Sequence, residues 1–186
     1  MIDMDNKLAA PGTLRLENPG RPLIDPQVYR DTIAGFGVSA CVVTAQHNGL
    51  RLGRTVTSLL SLSLDPPSIL VSIDSKSELA KMIGQANRFS FAILSETQSK
   101  VADAFAGTID PSQRFDIGKW STWPSGQPRL EGASVVMDCV VVGEMHTHSN
   151  ILFAGGVADV ATNTRLRPLI WHQRGYTTVH PIENSG

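Results

Sequence analysis

The sequence has few cysteines, almost no net charge and no long apolar run. Two of its 186 residues are cysteine, and the formal charge is −1 at pH 7. Cys41 and Cys139 stand inside apolar runs, without a CxxC motif or a histidine at metal-ligand spacing, so we expect buried, unpaired thiols and no metal site. A near-neutral chain without runs of like charge offers no field that would attract nucleic acid or an anionic membrane.

The length of the apolar runs also excludes a membrane span. No run reaches the roughly 18 uninterrupted apolar residues that a spanning helix needs. Asp3 and Asp5 stand where a signal peptide would carry basic residues, so we expect a soluble, cytoplasmic protein. Prolines and glycines punctuate residues 1–24, which predicts an arm that is either flexible or a strap over a partner subunit. Residues 25–182 are expected to form one domain.

Short β-rich runs separated by turn residues make up most of that domain. The predicted strands are Val38–Ala45, Arg51–Ser58, Ile69–Ile73, Phe89–Leu94, Val135–Gly143, Ile151–Ala161, Leu169–Gln173 and Thr177–His180. The predicted helices run from a cap at Asp25 to a glycine stop at Gly37, from Glu78 to Gln85, and through Val101 and Phe105. This pattern predicts a mainly β fold with short helices, closed into a barrel.

Two connections stand out between these elements. Gly107–Arg129 has little periodicity and is predicted as a long loop, with Trp120 and Trp123 as a lid, as interface anchors or as simple packing. The turn Glu144–Asn150 carries His146 and His148, which are expected to be solvated. The glycines of FAGGVAD lie within a strand, where they permit bending or a close approach of another chain segment.

The most informative stretch is GRTVTSLLSLSLDPPSILVSIDSKS, residues 53–77. Hydroxyl side chains are interleaved with apolar ones, a double-proline turn follows, and the next strand ends in Asp74-Ser75-Lys76-Ser77. From the residues alone, the hydroxyls are either a polar strand face or a set of donors for a flat polar ligand. Ser75-Lys76-Ser77 is either a capped, solvated turn or a helix N-terminus that offers N–H groups and a lysine to a phosphate.

This stretch resembles the signature segment of the short-chain flavin reductases, GMTANSFTSVSLDPPLVLVSV. Further resemblances follow in the family's order. They are FGVSACVVTAQHNG, NRFSFAILSETQSKVADAFAG, Arg114-Phe115, GQPRLEGASVVMDCVV, NILFAGGVADV and PLIWHQRGYTTV. Several ungapped matches in order are more specific than any one of them. The resemblance implies an FMN-binding split β-barrel that assembles as a homodimer.

The resemblance also implies which residues bind the flavin. The expected contacts are Thr55, Val56, Thr57 and Ser58 at the polar edge of the ring, Ser72, Ile73 and Asp74 at the strand end, Lys76 and Ser77 at the phosphate, and Phe115 near the ring. The family's histidine on the nicotinamide side aligns with Asn150, which cannot carry charge, and His148 is the alternative there. Arg174 stands where the family has glycine, and its partner is either a dinucleotide phosphate or solvent.

The implied activity is reduction of FMN or FAD by NADH or NADPH, with reduced flavin passed to a partner monooxygenase. Such hydride transfer depends on the stacking of two rings, which agrees with the lack of a catalytic triad in the sequence. Three other readings stay open: an enzyme that holds FMN tightly and acts on another substrate, a non-enzymatic flavin-binding module, and a structural domain whose hydroxyls are only a polar face. The matched motifs do not distinguish FMN from FAD, or NADH from NADPH.

Overall fold

The fold was obtained as a computed structural model, which describes residues 12–13 and 20–182. Within these ranges the strands are β1 Gly12–Thr13, β2 Val38–Ser39, β3 Cys41–His47, β4 Leu50–Val56, β5 Leu59–Leu64, β6 Pro67–Asp74, β7 Arg88–Ile93, β8 Trp120–Thr122, β9 Pro128–Leu130, β10 Val135–His146, β11 Asn150–Thr162, β12 Leu169–His172 and β13 Gly175–Thr178. The α-helices are α1 Pro26–Ile33, α2 Glu78–Ala86 and α3 Ser99–Asp103, and a π-helix, Ala104–Thr108, follows α3 directly. The predicted mainly β fold with short helices is confirmed, and none of the described helices is long and apolar enough to cross a membrane.

The largest sheet contains most of the strands, in the order β4-β3-β7-β10-β11-β6-β5. Strand β1 lies off this path and pairs with the end of β10, at Met145 and His146. Among the described residues, the β1–β10 pairing is the parallel one, and the other pairs in this sheet are antiparallel. A second sheet has the order β13-β12-β2, and β8 pairs with β9. The residues of the arm other than 12–13 and 20–24 lie outside the described ranges.

The two edges of the largest sheet are consecutive in the chain. Strand β4 is one edge and β5 is the other, and only Thr57 and Ser58 separate them. Because an extended residue spans at most about 3.6 Å, two residues cannot bridge the width of a flat seven-strand path. The sheet must therefore curl until its edges meet, which makes a barrel that is open along one line. We call the Thr57–Ser58 crossing the seam.

Two clusters of buried side chains fill this structure. The first lies between the barrel strands and α2, and includes Phe89, Phe91, Phe153, Leu79 and Met82. The second lies under α3 and the β8–β9 hairpin, and includes Phe105, Trp123, Leu130 and Leu169. The apolar side of α2 faces the first cluster, so this short helix covers part of the barrel core.

Both cysteines are free and belong to the first cluster. Each is completely buried, which confirms the expectation of small hydrophobic side chains. Burial disfavours the charged thiolate and raises the pKa of Cys41 and of Cys139 to about 12.

One glycine of the FAGGVAD segment allows a close approach, as predicted. A Cβ atom on Gly155 would lie 2.4 Å from Cζ of Phe89 and 3.0 Å from Cβ of Cys139. Phe89 is fully buried, so its ring occupies the volume that a side chain at position 155 would need.

The N-terminal helix begins as predicted but ends early. The Asp25 carboxylate accepts hydrogen bonds from the backbone N–H groups of Gln27 and Val28, and Pro26 is the first helical residue. The helix ends at Ile33 rather than at Gly37, because the next turn tightens through hydrogen bonds from Gly35 N to Thr32 O and from Phe36 N to Ile33 O. No residue of α1 is buried.

Two predicted connections are corrected by the structure. The segment 107–129 is not a plain loop, because Pro111–Asp116 forms a 3-10 turn and β8 and the start of β9 form a hairpin closed at Ser125-Gly126. Strands of three residues are too short to show a period in the sequence. Trp123 packs in the core and its Nε1 donates to Ser90 Oγ at 3.1 Å, which supports simple packing for that residue.

The turn between β10 and β11 is also shorter than predicted. Glu144 and His146 belong to β10, because pairing with β11 extends as far as His146 and Ile151. Only residues 147–149 form the turn. His146 is half-buried, and its Nε2 lies 3.2 Å from Glu144 Oε1. Its predicted place in the turn is therefore wrong, whereas its side chain still reaches solvent, as expected.

Candidate functional site

A cleft of about 300 Å³ lies at the seam. One wall is the end of β4 with the seam itself, and the other is the end of β6 with the first residue of β11. The lining residues are Arg54, Thr55, Val56, Thr57, Ser58, Ser72, Ile73, Asp74 and Asn150. The structure therefore brings together most of the residues that the sequence nominated for a flavin, although they come from three separate segments.

Three polar side chains, Ser58, Ser72 and Asn150, form hydrogen bonds around this cleft. Ser58 Oγ lies 3.2 Å from the carbonyl oxygen of Ser72, to which it donates, and 3.4 Å from the backbone nitrogen of Ser72. Asn150 Nδ2 donates to Ser72 Oγ at 3.0 Å. The Ser58 bonds tie the seam to the end of β6, where no backbone ladder joins β4 to β5, and the Asn150 bond adds to the ladder that already pairs β6 with β11.

The remaining residues of the β4 wall have different roles. Thr55 donates its hydroxyl proton to the carbonyl of Ala102 at 2.6 Å, which fastens β4 to α3. The side chain of Val56 is buried in the first core cluster. Thr57 and Ser58 are exposed, so the hydroxyls at the seam are the ones best placed to meet a ligand.

The turn after β6 places Lys76 and Ser77 beside the cleft rather than in its lining. Ser77 Oγ donates to the carbonyl of Asp74 at 2.7 Å and accepts from Ala80 N at 3.2 Å, so Ser77 is the N-cap of α2. Lys76 N donates to Asp74 Oδ1 at 2.8 Å. The Lys76 side chain is exposed and forms no ion pair with any described residue.

Of the two candidates for the nicotinamide side, Asn150 lies in the cleft and His148 does not. Asn150 lines the cleft, and its Oδ1 accepts from Ser149 Oγ at 2.8 Å. The turn closes tightly because Thr147 donates to the Asn150 carbonyl through both N and Oγ1, at 2.8 and 2.9 Å. His148 lies exposed in this turn and does not line the cleft.

Phe115 lies in an aromatic cluster and is not part of the cleft lining. Its ring meets that of Phe105 edge-on with centroids 5.2 Å apart, and its centroid is 4.9 Å from that of Trp120. The guanidinium of Arg51 stands over the same ring at 4.5 Å. The role of Phe115 in flavin binding stays a prediction, as do the other residue-level contacts.

A larger pocket adjoins the cleft, and the sequence did not predict it. It measures about 670 Å³ and shares Thr57 and Ser58 with the cleft. Its other lining residues are Tyr29, Arg30, Ile33, Ala34, Phe36, Val38, Trp171 and Arg174. These come from α1, β2 and the β12–β13 hairpin, which are distant in sequence, so no local signal could have brought them together.

Arg174, which lines the larger pocket, and Arg54, which lines the cleft, differ in their partners. Arg174 forms an ion pair with Asp31, so its partner is a carboxylate of α1 and not solvent alone. Arg54 lines the cleft, is exposed, and has no ion pair among the described residues. In the sequence, Arg54 stands between Leu52 and Val56 on one face of a predicted strand, and a charged residue at such a position was the signal that could have identified Arg54 as a site residue.

No group of three or more described His, Cys, Asp or Glu side chains is placed to hold a metal ion.

Comparison with known proteins identifies the family. The family described as flavin reductase like domain matches residues 33–180. The NADH:riboflavin 5′-phosphate oxidoreductase of Streptomyces pristinaespiralis is 32% identical over 168 residues, which cover 89% of this chain and 94% of that protein. The reductase component of the FADH(2)-dependent resorcinol hydroxylase of Rhizobium sp. (strain MTP-10005) is 29% identical over 157 residues, or 83% of this chain and 88% of that protein.

A solved structure agrees with the sequence relatives. The flavin reductase of styrene monooxygenase from Pseudomonas putida S12 superposes with a TM-score of 0.72 at 27% identity, over 83% of this chain and 97% of that one. The barrel open along one seam is therefore the split β-barrel that the resemblance implied. The chain belongs to the flavin reductase like domain family.

Proposed function

We propose that this protein is an NAD(P)H:flavin oxidoreductase that reduces FMN or FAD and supplies the reduced flavin to a partner monooxygenase. The observation that carries the proposal is the cleft at the seam, where the residues aligned with the family's flavin-binding motif converge. Relatives named as an NADH:riboflavin 5′-phosphate oxidoreductase and as a hydroxylase reductase component support both halves of it.

The cleft has the donor set that a flavin requires. The polar edge of an isoalloxazine presents carbonyl oxygens and ring nitrogens, which pair with hydroxyls, amides and backbone groups. Thr57, Ser58 and Asn150 supply the first two kinds, and the strand end Ser72–Asp74 supplies the third. A small-molecule site usually has a few such polar groups in a concave space of about 300–1,000 Å³, and the cleft and the adjoining pocket both lie within that range.

The chemistry itself belongs to the bound groups: the flavin ring accepts the hydride that a reduced nicotinamide donates. The protein has to hold two planes in contact and keep water away. Ser58, Ser72 and Asn150 fix the walls through mutual hydrogen bonds. The adjoining pocket, with the aromatic residues Tyr29, Phe36 and Trp171, gives a second flat group a place beside the first.

Oxidation of NADH and NADPH, followed by the loss of nicotinamide absorbance with and without added FMN or FAD, tests the proposal. The expected result is turnover that saturates with added flavin. A protein that binds flavin without oxidising either nicotinamide is a binding module instead. A protein isolated with stoichiometric flavin, indifferent to further flavin, would show that the flavin is a resident group and that the acceptor is another substrate.

We also propose that the chain acts as a homodimer. Leu60, Leu62 and Leu64 on the edge strand β5 are 56%, 46% and 90% exposed, and a row of leucines on an open edge invites a partner. Light scattering on the eluted protein measures the mass, and Leu62→Glu is expected to yield monomers. Leu50→Glu, at the exposed β3–β4 hairpin, is the matched control and should leave the mass unchanged.

The proposed location is the cytoplasm, because a reducing compartment agrees with two unpaired cysteines.

A further inference from the structure

Arg54 is a cation at a position where the family motif quoted above has methionine. In the aligned segments, GRTVTS stands opposite GMTANS, so this chain carries a guanidinium where that motif carries a thioether. Its side chain is exposed, lines the cleft and has no ion pair within residues 12–13 and 20–182. An unpaired guanidinium in a ligand cleft requires an account.

The strand pattern places Arg54 on the side of β4 that faces α2. Side chains two residues apart share a face of a strand, and Leu52 and Val56 both pack in the core cluster that contains Leu79 and Met82 of α2. Arg54 stands between them. It therefore projects from the same face, beyond the edge of that cluster.

The register places Arg54 at a particular end of the cleft. Strands β5 and β6 are antiparallel with Leu59 opposite Val71, and Ser58 bonds to Ser72, so the register holds as far as the seam. Continuing back along β4 from Ser58 therefore leads toward Asp74 and the turn that follows it. Arg54 lies four residues before Ser58, at about 3.3 Å per residue, and so belongs to the end of the cleft at which α2 begins.

That end carries a local excess of positive charge. Lys76 is exposed and unpaired among the described residues, and the N-terminus of α2 adds the positive end of a helix dipole. Asp74 is the carboxylate at this end, and its Oδ1 is already engaged by the backbone N–H of Lys76. Glu78, in the first turn of α2, is paired with Lys81.

We propose that Arg54 binds the phosphate group of the flavin and makes this protein selective for phosphorylated flavins over riboflavin. A guanidinium presents two parallel N–H donors to a phosphate, which methionine cannot do. The proposal rests on the function proposed above and assigns one more residue to the same site. Because Arg54 is solvent-exposed, its contribution is screened, and we expect it to change the flavin dissociation constant by about 10-fold.

The experiment compares FMN with riboflavin, since the two differ only in the phosphate. Dissociation constants are measured by quenching of flavin fluorescence, without nicotinamide, for the wild type, Arg54→Met, Arg54→Lys and the control Arg165→Met. Arg165 is exposed in the loop after β11, at the end of that strand far from Asn150, so its variant removes the same charge elsewhere. The expected result is a roughly 10-fold weaker FMN affinity for Arg54→Met, an intermediate loss for Arg54→Lys, and unchanged riboflavin binding.

Three results would overturn the assignment. These are an equal loss of FMN and riboflavin affinity in Arg54→Met, no loss of either, and a loss of FMN affinity that Arg165→Met reproduces. A rise in the KM for NADH, with the ratio of FMN to riboflavin affinity unchanged, would instead place Arg54 on the nicotinamide. Failure of the broader function is distinguishable, because it appears as wild-type protein that does not oxidise NADH or NADPH, whereas the affinity ratio is measured without turnover.

Discussion

Replacing Gly155 with alanine should destabilise the protein, because the core has no room for one more methyl group. The added Cβ would lie 2.4 Å from Cζ and 2.8 Å from Cε1 of Phe89. Neither the Phe89 ring nor the backbone at position 155 can move away easily. The ring of Phe89 is completely buried, and Gly155 belongs to a strand that is hydrogen-bonded on both sides, opposite Val141 and Ile69.

The expected cost follows from the overpacking of a rigid core. Inserting a methylene into a well-packed interior costs about 1–3 kcal/mol. For a chain of this size each kcal/mol lowers the midpoint of thermal unfolding by about 2–4 °C, so the midpoint should fall by about 2–12 °C. Urea unfolding gives the same free energy independently and should show a lower midpoint with an unchanged slope.

Gly143→Ala is the matched control. The nearest atom to a Cβ at position 143 is Cβ of Ala154, at 3.8 Å, which is ordinary contact. Its free energy of unfolding should therefore stay within about 0.5 kcal/mol of the wild type. Equal destabilisation by the two alanines would refute the steric reasoning, and so would a wild-type midpoint for Gly155→Ala. Phe89→Leu should lower the free energy of unfolding by less in the Gly155→Ala background than in the wild type, because the two side chains compete for the same volume.

Three further predictions concern the site and the core. Ser77→Ala removes the cap of α2 and should cost about 0.5–2 kcal/mol of unfolding free energy, measured in urea, whereas Ser77→Asp should retain most of it. Asn150→His introduces a group with an ordinary pKa near 6.5, so the pH profile of NADH oxidation should gain a step around that value that the wild type lacks; a profile of unchanged shape would place position 150 away from the reacting rings. The buried thiols have pKa values of about 12 in the folded chain against 9.0 ordinarily, so as the pH rises through that window the unfolded chain releases these protons first and stability falls. Cys139→Ala should reduce this alkaline loss in unfolding curves taken across the range, and an identical slope would contradict it.

The sequence was sufficient for the parts of the fold that have strong local signals. The cap at Asp25 marked the start of α1, and the short β-rich runs marked the long strands, because caps and alternation each act over a few residues. The hairpin β8–β9 was missed because its strands are only three residues long. The end of α1 was misplaced because a helix with no buried residue has no packing to extend it.

For the site, the sequence identified which residues belong together but not what each one touches. Thr55 was expected to meet the ligand, yet its hydroxyl proton goes to Ala102, which is 47 positions away. The adjoining pocket depends on contacts between α1 and the β12–β13 hairpin, such as the ion pair of Asp31 with Arg174. Such long-range pairs follow from the closure of the barrel and leave no periodic trace in the chain.

The seam has a consequence for how this fold can change over time. Where the sheet closes on itself without a backbone ladder, Thr57 and Ser58 reach both the cleft and the larger pocket. A change in either residue therefore alters two binding spaces at once, while most of the barrel can drift under the looser demand of keeping its core filled.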